Sequence, residues 1–148
     1  MRRALIYKWR WFLTGAVVGI AGFITAFLIG THNLSKTTEN FARSSAVAIF
    51  SGWDDKELLD RASPDFLKNA HPDAIHNSFN NLSKLGKLTR VDQLEGGPHY
   101  IISLTGPNTA TATYSGTAEF ENGKLQFQID LIDGGPVWQI KAFRITTP

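Results

Sequence analysis

The chain has 148 residues, no cysteine and a formal net charge of +2. That length allows one modest folded core beside a short additional segment and excludes two. The absence of cysteine excludes a disulfide scaffold, a thiolate nucleophile and a cysteine-ligated metal site.

The charge is unevenly spread. The first ten residues carry Arg2, Arg3, Lys8 and Arg10 and no acid, so the remainder of the chain is slightly acidic. The high isoelectric point belongs to that short tail. Nucleic-acid binding leaves a basic stripe on a folded domain, and no such stripe is present, so no nucleic-acid partner is expected.

Residues 11–31 read as a transmembrane helix following a cytoplasmic basic tail over 1–10. Phe12 to Gly30 contains no charged residue, and at the helical rise this run approaches the roughly 30 Å of a bilayer's hydrocarbon core. A cleaved export signal has a shorter apolar region closed by a small-x-small site; "IGTHN" is not one. A buried helix of a water-soluble fold would need a polar face, and this run has none. Basic residues crowd its N-terminal flank, whereas only Lys36 follows soon after. The positive-inside rule then sets the N-terminus in the cytoplasm and the rest beyond the inner membrane, in the periplasm. Tyr7, Trp9 and Trp11 suit the interfacial belt, where an amphipathic ring keeps one edge wet. Membrane lipid is thus the first expected partner.

Gly15, Gly19, Gly22, Ala26 and Gly30 fall on one stripe of that helix, and "GAVVG" is a GxxxG match. Lipid supplies no hydrophobic drive for helix pairing, so small residues that let backbones approach form the contact face. The expected partners are other transmembrane helices of an inner-membrane complex, or a second copy of this chain.

Residues 34–148 read as one extracytoplasmic domain. Over 34–53, Phe41, Ala42, Val47, Ile49, Phe50 and Trp53 approximate a helical stripe that Gly52 ends. Asp54 with Glu57 has the spacing of a capping box. Ser63 before Pro64 begins another helix, and Pro72 a third. Ile75, Phe79, Leu82 and Leu85 line that last helix, which Gly86 closes.

Strand character follows, over 87–95, 99–105, 109–121, 124–133 and 137–146, with "EGGP" as a turn. Asn122-Gly123 is the preferred pair for a type I′ hairpin turn. With that turn Glu121 faces Lys124, Phe120 faces Leu125, Tyr114 faces Leu131 and Ser115 faces Asp130, which makes one sheet face apolar and the other polar. Trp138, Ile140 and Ala142 alternate, then Phe143 and Ile145 change phase, which predicts a bulge near 142–144. Helices first and an antiparallel meander after them make an α+β fold with four to five strands.

The run "FSGWDDKELLDRASPDF", the helix exit "LSKLGKLT" and the closing "GGPVWQIKAFRI" resemble small cystatin-like or nuclear-transport-factor-like domains. The layout also resembles the single-span periplasmic component of type IV secretion and some accessory proteins of respiratory complexes. The resemblance implies a curved sheet wrapped on a long helix. Some such domains use the cup as an enzyme pocket, and many only bind protein.

Candidate chemistry is sparse. His71, Asp73 and His76 form the one dense group of possible ligands, but they lack the i, i+4 histidine spacing of a helical zinc site. They read as a cap and surface residues, so no metal is expected. His32 reads as interfacial and His99 as a loop residue. Asp54, Asp55 and Glu57 suit a helix start. Asp130, beside Ser115 on the polar face, becomes a candidate base only if that face forms the cup. No nucleotide or nucleophile motif occurs, and no cofactor or catalytic residue is expected. The "NLS" sequons at Asn33 and Asn81 matter only in a eukaryotic secretory setting. The reading is a non-enzymatic accessory, assembly or scaffold subunit; the alternative is a membrane-tethered cup that binds or transforms a small ligand.

Overall fold

The computed structural model describes residues 35–101 and 109–146. The first described element, helix α1, runs through residues 35–52. Its buried stripe is Thr38, Ala42, Ser45, Ala46, Ile49 and Phe50, spaced as one face of a 3.6-residue helix. The stripe is rotated from the expected one. Val47 is 39 % exposed, and two hydroxyl residues occupy inward positions. Small side chains at 42, 45 and 46 leave room for the helix to approach the sheet closely, a role that hydrophobicity alone does not reveal.

Helix α1 ends through Trp53 rather than through a left-handed glycine: Trp53 has φ 49°, a conformation that bulky residues rarely adopt. Aromatic packing holds it there. Its indole stacks on Phe120 at 5.1 Å and meets Phe50 and Phe79 edge-on. Helix α2 spans Asp55–Leu59. Asp54 caps it by accepting from the Lys56 amide at 2.9 Å. The expected reciprocal box does not form among the described contacts, because Glu57 pairs with Arg61 one turn on. Helix α3, Pro64–Asn69, starts as expected, with the Ser63 hydroxyl accepting from the Phe66 amide. Helix α4, Pro72–Leu82, buries only Phe79. A short 3-10 turn, Ser83–Leu85, leads out through Gly86.

The sheet has five antiparallel strands: β1 (Leu88–Val91), β2 (Glu95–Ile101), β3 (Thr109–Phe120), β4 (Gly123–Asp133) and β5 (Trp138–Thr146). Strands β1 and β2 both pair with β3, one after the other along the same edge, and β4 and β5 follow on its other side. The interruption falls at 92–94, where Leu94 turns inward and is 6 % exposed. "EGGP" is therefore the start of β2 rather than a turn. An edge strand tolerates Gly and Pro where an inner strand does not.

The β3–β4 hairpin keeps the expected faces but not the expected register. Phe120 pairs with Gly123, Ala118 with Leu125, Tyr114 with Ile129 and Thr113 with Asp130. The turn residues are Glu121 and Asn122, and neither Asn122 nor Gly123 has positive φ. A shift of two residues preserves which side each residue faces, since side chains alternate with period two. Tertiary contacts select this turn: the Glu121 amide donates to the Lys87 carbonyl and the Asn122 amide to the Leu85 carbonyl. Gly123 lies so close to Leu85 that a Cβ there would stand 3.1 Å from its Cδ2.

Strand β5 contains the phase change, one residue earlier than expected. Leu131 pairs with Ile140 and Asp130 with Ala142, so Lys141 is the extra residue. Phe143 and Ile145 return to the apolar side, opposite Ile129 and Phe127. The core lies between this side and α1, with Phe50 contacting Phe120, Phe127 and Phe143. On its outer edge β5 meets Ala62 in a parallel bridge: the Ile140 amide donates to the Arg61 carbonyl and the Ser63 amide to the Ile140 carbonyl.

Candidate functional site

The polar sheet face carries one organised carboxylate. Asp130 Oδ1 accepts from Thr113 Oγ1 at 3.1 Å and from Gln128 Nε2 at 2.9 Å. Its Oδ2 accepts from Arg144 Nη1 at 2.6 Å. Partial burial pushes the Asp130 carboxyl up, but the hydrogen bonds from Gln128, Arg144 and Thr113 and the arginine charge outweigh it, and the net pKa lies below the ordinary carboxylate value. A general base works best with a pKa near the working pH. Asp130 is moved the other way, and its oxygens are already engaged. Its three hydrogen bonds tie β3, β4 and β5 together across this face. The hairpin register explains why the expected partner, Ser115, is not beside it: Ser115 pairs with Gln128. Thr113, Gln128 and Arg144 were not legible as its partners, because their proximity depends on the register and on the bulge at Lys141.

Beside this face, the β1–β2 interruption overhangs a recess of about 550 Å³ lined by Asp92, Glu95, Ser115, Thr117, Gln128 and Arg144. Its charges already have partners in part: Arg90 Nε reaches Asp92 at 3.0 Å, and Arg144 is held by Asp130.

The second surface lies on the helix side. Helix α4 stands off from β5, and between them is an open recess of about 510 Å³ lined by Leu58, Phe66, Ile75, Phe79, Leu82 and Ile145 among others. No acid or base lines it. Phe66, Ala74 and Ile75 also line a second recess of about 470 Å³, which Asp65, His71 and Lys141 line as well. The two make one groove along the outer edge of β5. Its sequence signal is the Ile75, Phe79, Leu82 stripe of α4, of which only Phe79 is buried.

The histidines do not converge. His71 is the N-cap of α4 without a side-chain capping bond, and His76 Nδ1 lies 3.4 Å from Asp55 Oδ2. His99 sits within β2, opposite Thr111, instead of in a loop. Asp73 lies in the first turn of α4. Among the described residues no three His, Asp or Glu side chains come together as a ligand set. The anchors Tyr7, Trp9 and Trp11, the stripe Gly15, Gly19, Gly22, Ala26 and Gly30, and His32 and Asn33 lie outside the described residues. Among the described residues no helix is long and apolar enough to cross a membrane.

The chain matches no family model, no curated protein and no solved structure.

Proposed function

We propose that this chain is a non-enzymatic single-pass membrane protein. It serves as an accessory, assembly or scaffold subunit of an inner-membrane complex of respiratory or secretion type, with a periplasmic, cystatin-like or nuclear-transport-factor-like domain. The carrying observation is the contrast between the two surfaces. The organised carboxylate is engaged by hydrogen bonds from Thr113, Gln128 and Arg144, and the larger recess of the groove along β5 is open, with no acid or base lining it. That is a chemistry of contact rather than of turnover. The uncharged run over 11–31, its basic flank and its small-residue stripe support the membrane part of the reading. A long helix on an antiparallel sheet supports the family part.

The test is gentle detergent extraction of the full chain with a C-terminal tag, together with a C-terminal reporter active only outside the cytoplasm. An active reporter and a stoichiometric set of co-purifying membrane subunits are expected. Gly19→Leu should weaken that association while Val18→Leu, on another helix face, should not. A reporter active only in the cytoplasm, or a chain that purifies alone from its native membrane, overturns the reading.

A further inference from the structure

We propose that the recess under the β1–β2 interruption binds a cationic polyhydroxyl molecule, an amino sugar, through Glu95, Ser115, Gln126 and Arg144. This goes beyond the reading of the chain as an interaction subunit and does not depend on it.

The register makes the floor. Residues directly opposite each other in antiparallel strands share a face. Glu95 pairs with Ser115, Ser115 with Gln128 and Gln128 with Arg144, so these residues form one row across β2, β3, β4 and β5. At the usual strand spacing the row runs about 14 Å between its end Cα atoms. Thr117, Gln126 and Thr146 form the next row. An acid thus stands at one end and an arginine at the other, with hydroxyls and amides between them.

The interruption makes the wall, and it is anchored. Leu94 sits against Gly116, where a Cβ would stand 2.7 Å from Leu94 Cδ2. Arg43 Nη1 donates to the Val91 and Asp92 carbonyls, each at 3.2 Å. The Asp92 amide donates to the Thr117 carbonyl at 2.9 Å. Asp92 and Glu95 flank this fixed point, so the wall is formed before a ligand arrives and the ordering cost of binding is low. The recess, about 550 Å³, has the size of a small-molecule site.

Charge and hydrogen bonding select the ligand. Arg90 is shared between Asp92 and Glu119, and Arg144 is engaged by Asp130. Among the described residues the Glu95 carboxylate has no ion pair or hydrogen bond. The charge left without a counter-ion is therefore negative, and an ammonium complements it. Ser115, Thr117 and Gln126 also make no side-chain hydrogen bond among the described residues, and each offers both donor and acceptor. Arg144 bonds Asp130 through Nη1, which leaves its Nε and Nη2 donors for an oxygen. A hydroxyl both donates and accepts, so several on one frame match this set. Of the described lining side chains only Phe127 is apolar, and it is buried, so a fatty or aromatic ligand finds no matching wall.

The test titrates the full chain, in a detergent without sugar groups and a mildly acidic buffer, with backbone amide NMR shifts as the readout. Glucosamine carries both charge and hydroxyls, glucose only the hydroxyls, and propylamine only the charge. Glucosamine should give saturable shifts at Ser115, Thr117, Gln126 and Gln128 with a Kd of about 1 mM or tighter, and the other two should bind at least about tenfold more weakly. Glu95→Gln keeps the shape and removes the charge. It should weaken glucosamine about tenfold and leave glucose unchanged, whereas Asp73→Asn, on α4, should change neither. Should Glu95→Gln disturb β2, Gln126→Ala, at an exposed position, should weaken both sugars. Equal binding of propylamine or of glucose, shifts centred outside the recess, or no saturable shift overturns the proposal. So does glucosamine binding that both variants leave intact.

Discussion

Thr38 Oγ1 and the Tyr114 hydroxyl share a hydrogen bond of 2.6 Å although 76 positions separate them. The Ser35 carbonyl lies 3.0 Å from Thr38 Oγ1 and 3.2 Å from the Tyr114 hydroxyl, so whichever hydroxyl accepts from the other is left to donate to that carbonyl. The three groups pin the start of the described part of α1 to the middle of β3. Tyr114 is 1 % exposed, so Tyr114→Phe keeps the packing and removes only the hydroxyl. A loss of about 0.5–1.5 kcal/mol is expected, read as a lower unfolding midpoint of the full chain. No change would mean that the bond does not hold the helix.

Ser45 offers the opposite case. It is fully buried in the same helix, and its hydroxyl has no partner among the described residues. Ser45→Ala removes an unsatisfied polar group and improves helix propensity. It should stabilise the fold by about 0.5–2 kcal/mol. A destabilised variant in thermal unfolding would show that the hydroxyl is satisfied in solution.

The turn between β3 and β4 can be tested through Asn122. In a type I′ turn it would need positive φ, and alanine there would be strained. In the observed turn its side chain makes one long bond, 3.4 Å to the Lys84 carbonyl. Asn122→Ala should therefore cost less than about 0.5 kcal/mol. A loss above about 1 kcal/mol would favour the type I′ register.

Gly96 and Gly97 are neighbours with different constraints. Gly96 has φ +133°, and a Cβ on it would stand 2.0 Å from the Thr113 carbonyl oxygen, whereas one on Gly97 meets nothing within 4 Å. Gly96→Ala should cost roughly 1–3 kcal/mol or more through strain and loss of β2 pairing. Gly97→Ala should be close to neutral. Amide exchange along β2 would read the difference directly, and equal effects would refute it.

The Asp130 cluster makes a pH-dependent contribution of definite sign. The folded-state pKa is depressed, so the stabilisation is present above the unfolded-state value and is lost as pH falls through the folded one. Carboxyl NMR titration should show Asp130 below the ordinary range. Arg144→Met should move it upward, because both a hydrogen bond and a positive charge are removed. An unmoved titration in that variant would exclude Arg144 as a cause.

Fold class and sidedness were legible in the residues, and some local geometry was not. The faces of the hairpin follow from alternation in "EFENGKLQF", and any register shifted by two satisfies that alternation equally. The choice was made by the carbonyls of Leu85 and Lys87, which belong to a segment whose position no local pattern encodes. The same holds for α1. Val47 belongs to the expected apolar stripe and Thr38 and Ser45 do not, yet Val47 is exposed and the two hydroxyl residues are buried where the helix approaches the sheet. The groove is not legible in the residues for a related reason: a stripe reveals an apolar face but not whether the chain itself covers it. The Asp130 cluster depends on both the register and the bulge, and was beyond reach until both were known.

The bridge between Ala62 and Ile140 has a consequence for the order of assembly. Most helix–sheet folds can seat their N-terminal helices on whichever strands exist. Here the stretch joining α2 to α3 is tied by its main chain to the last strand, more than half the chain away. Closing so long a loop is entropically costly until the intervening hairpins have formed. As the polypeptide emerges, α2 and α3 are without this anchor until β5 is complete. The closing strand then fixes the edge along which the groove runs, so that surface takes its final form only at the end of folding.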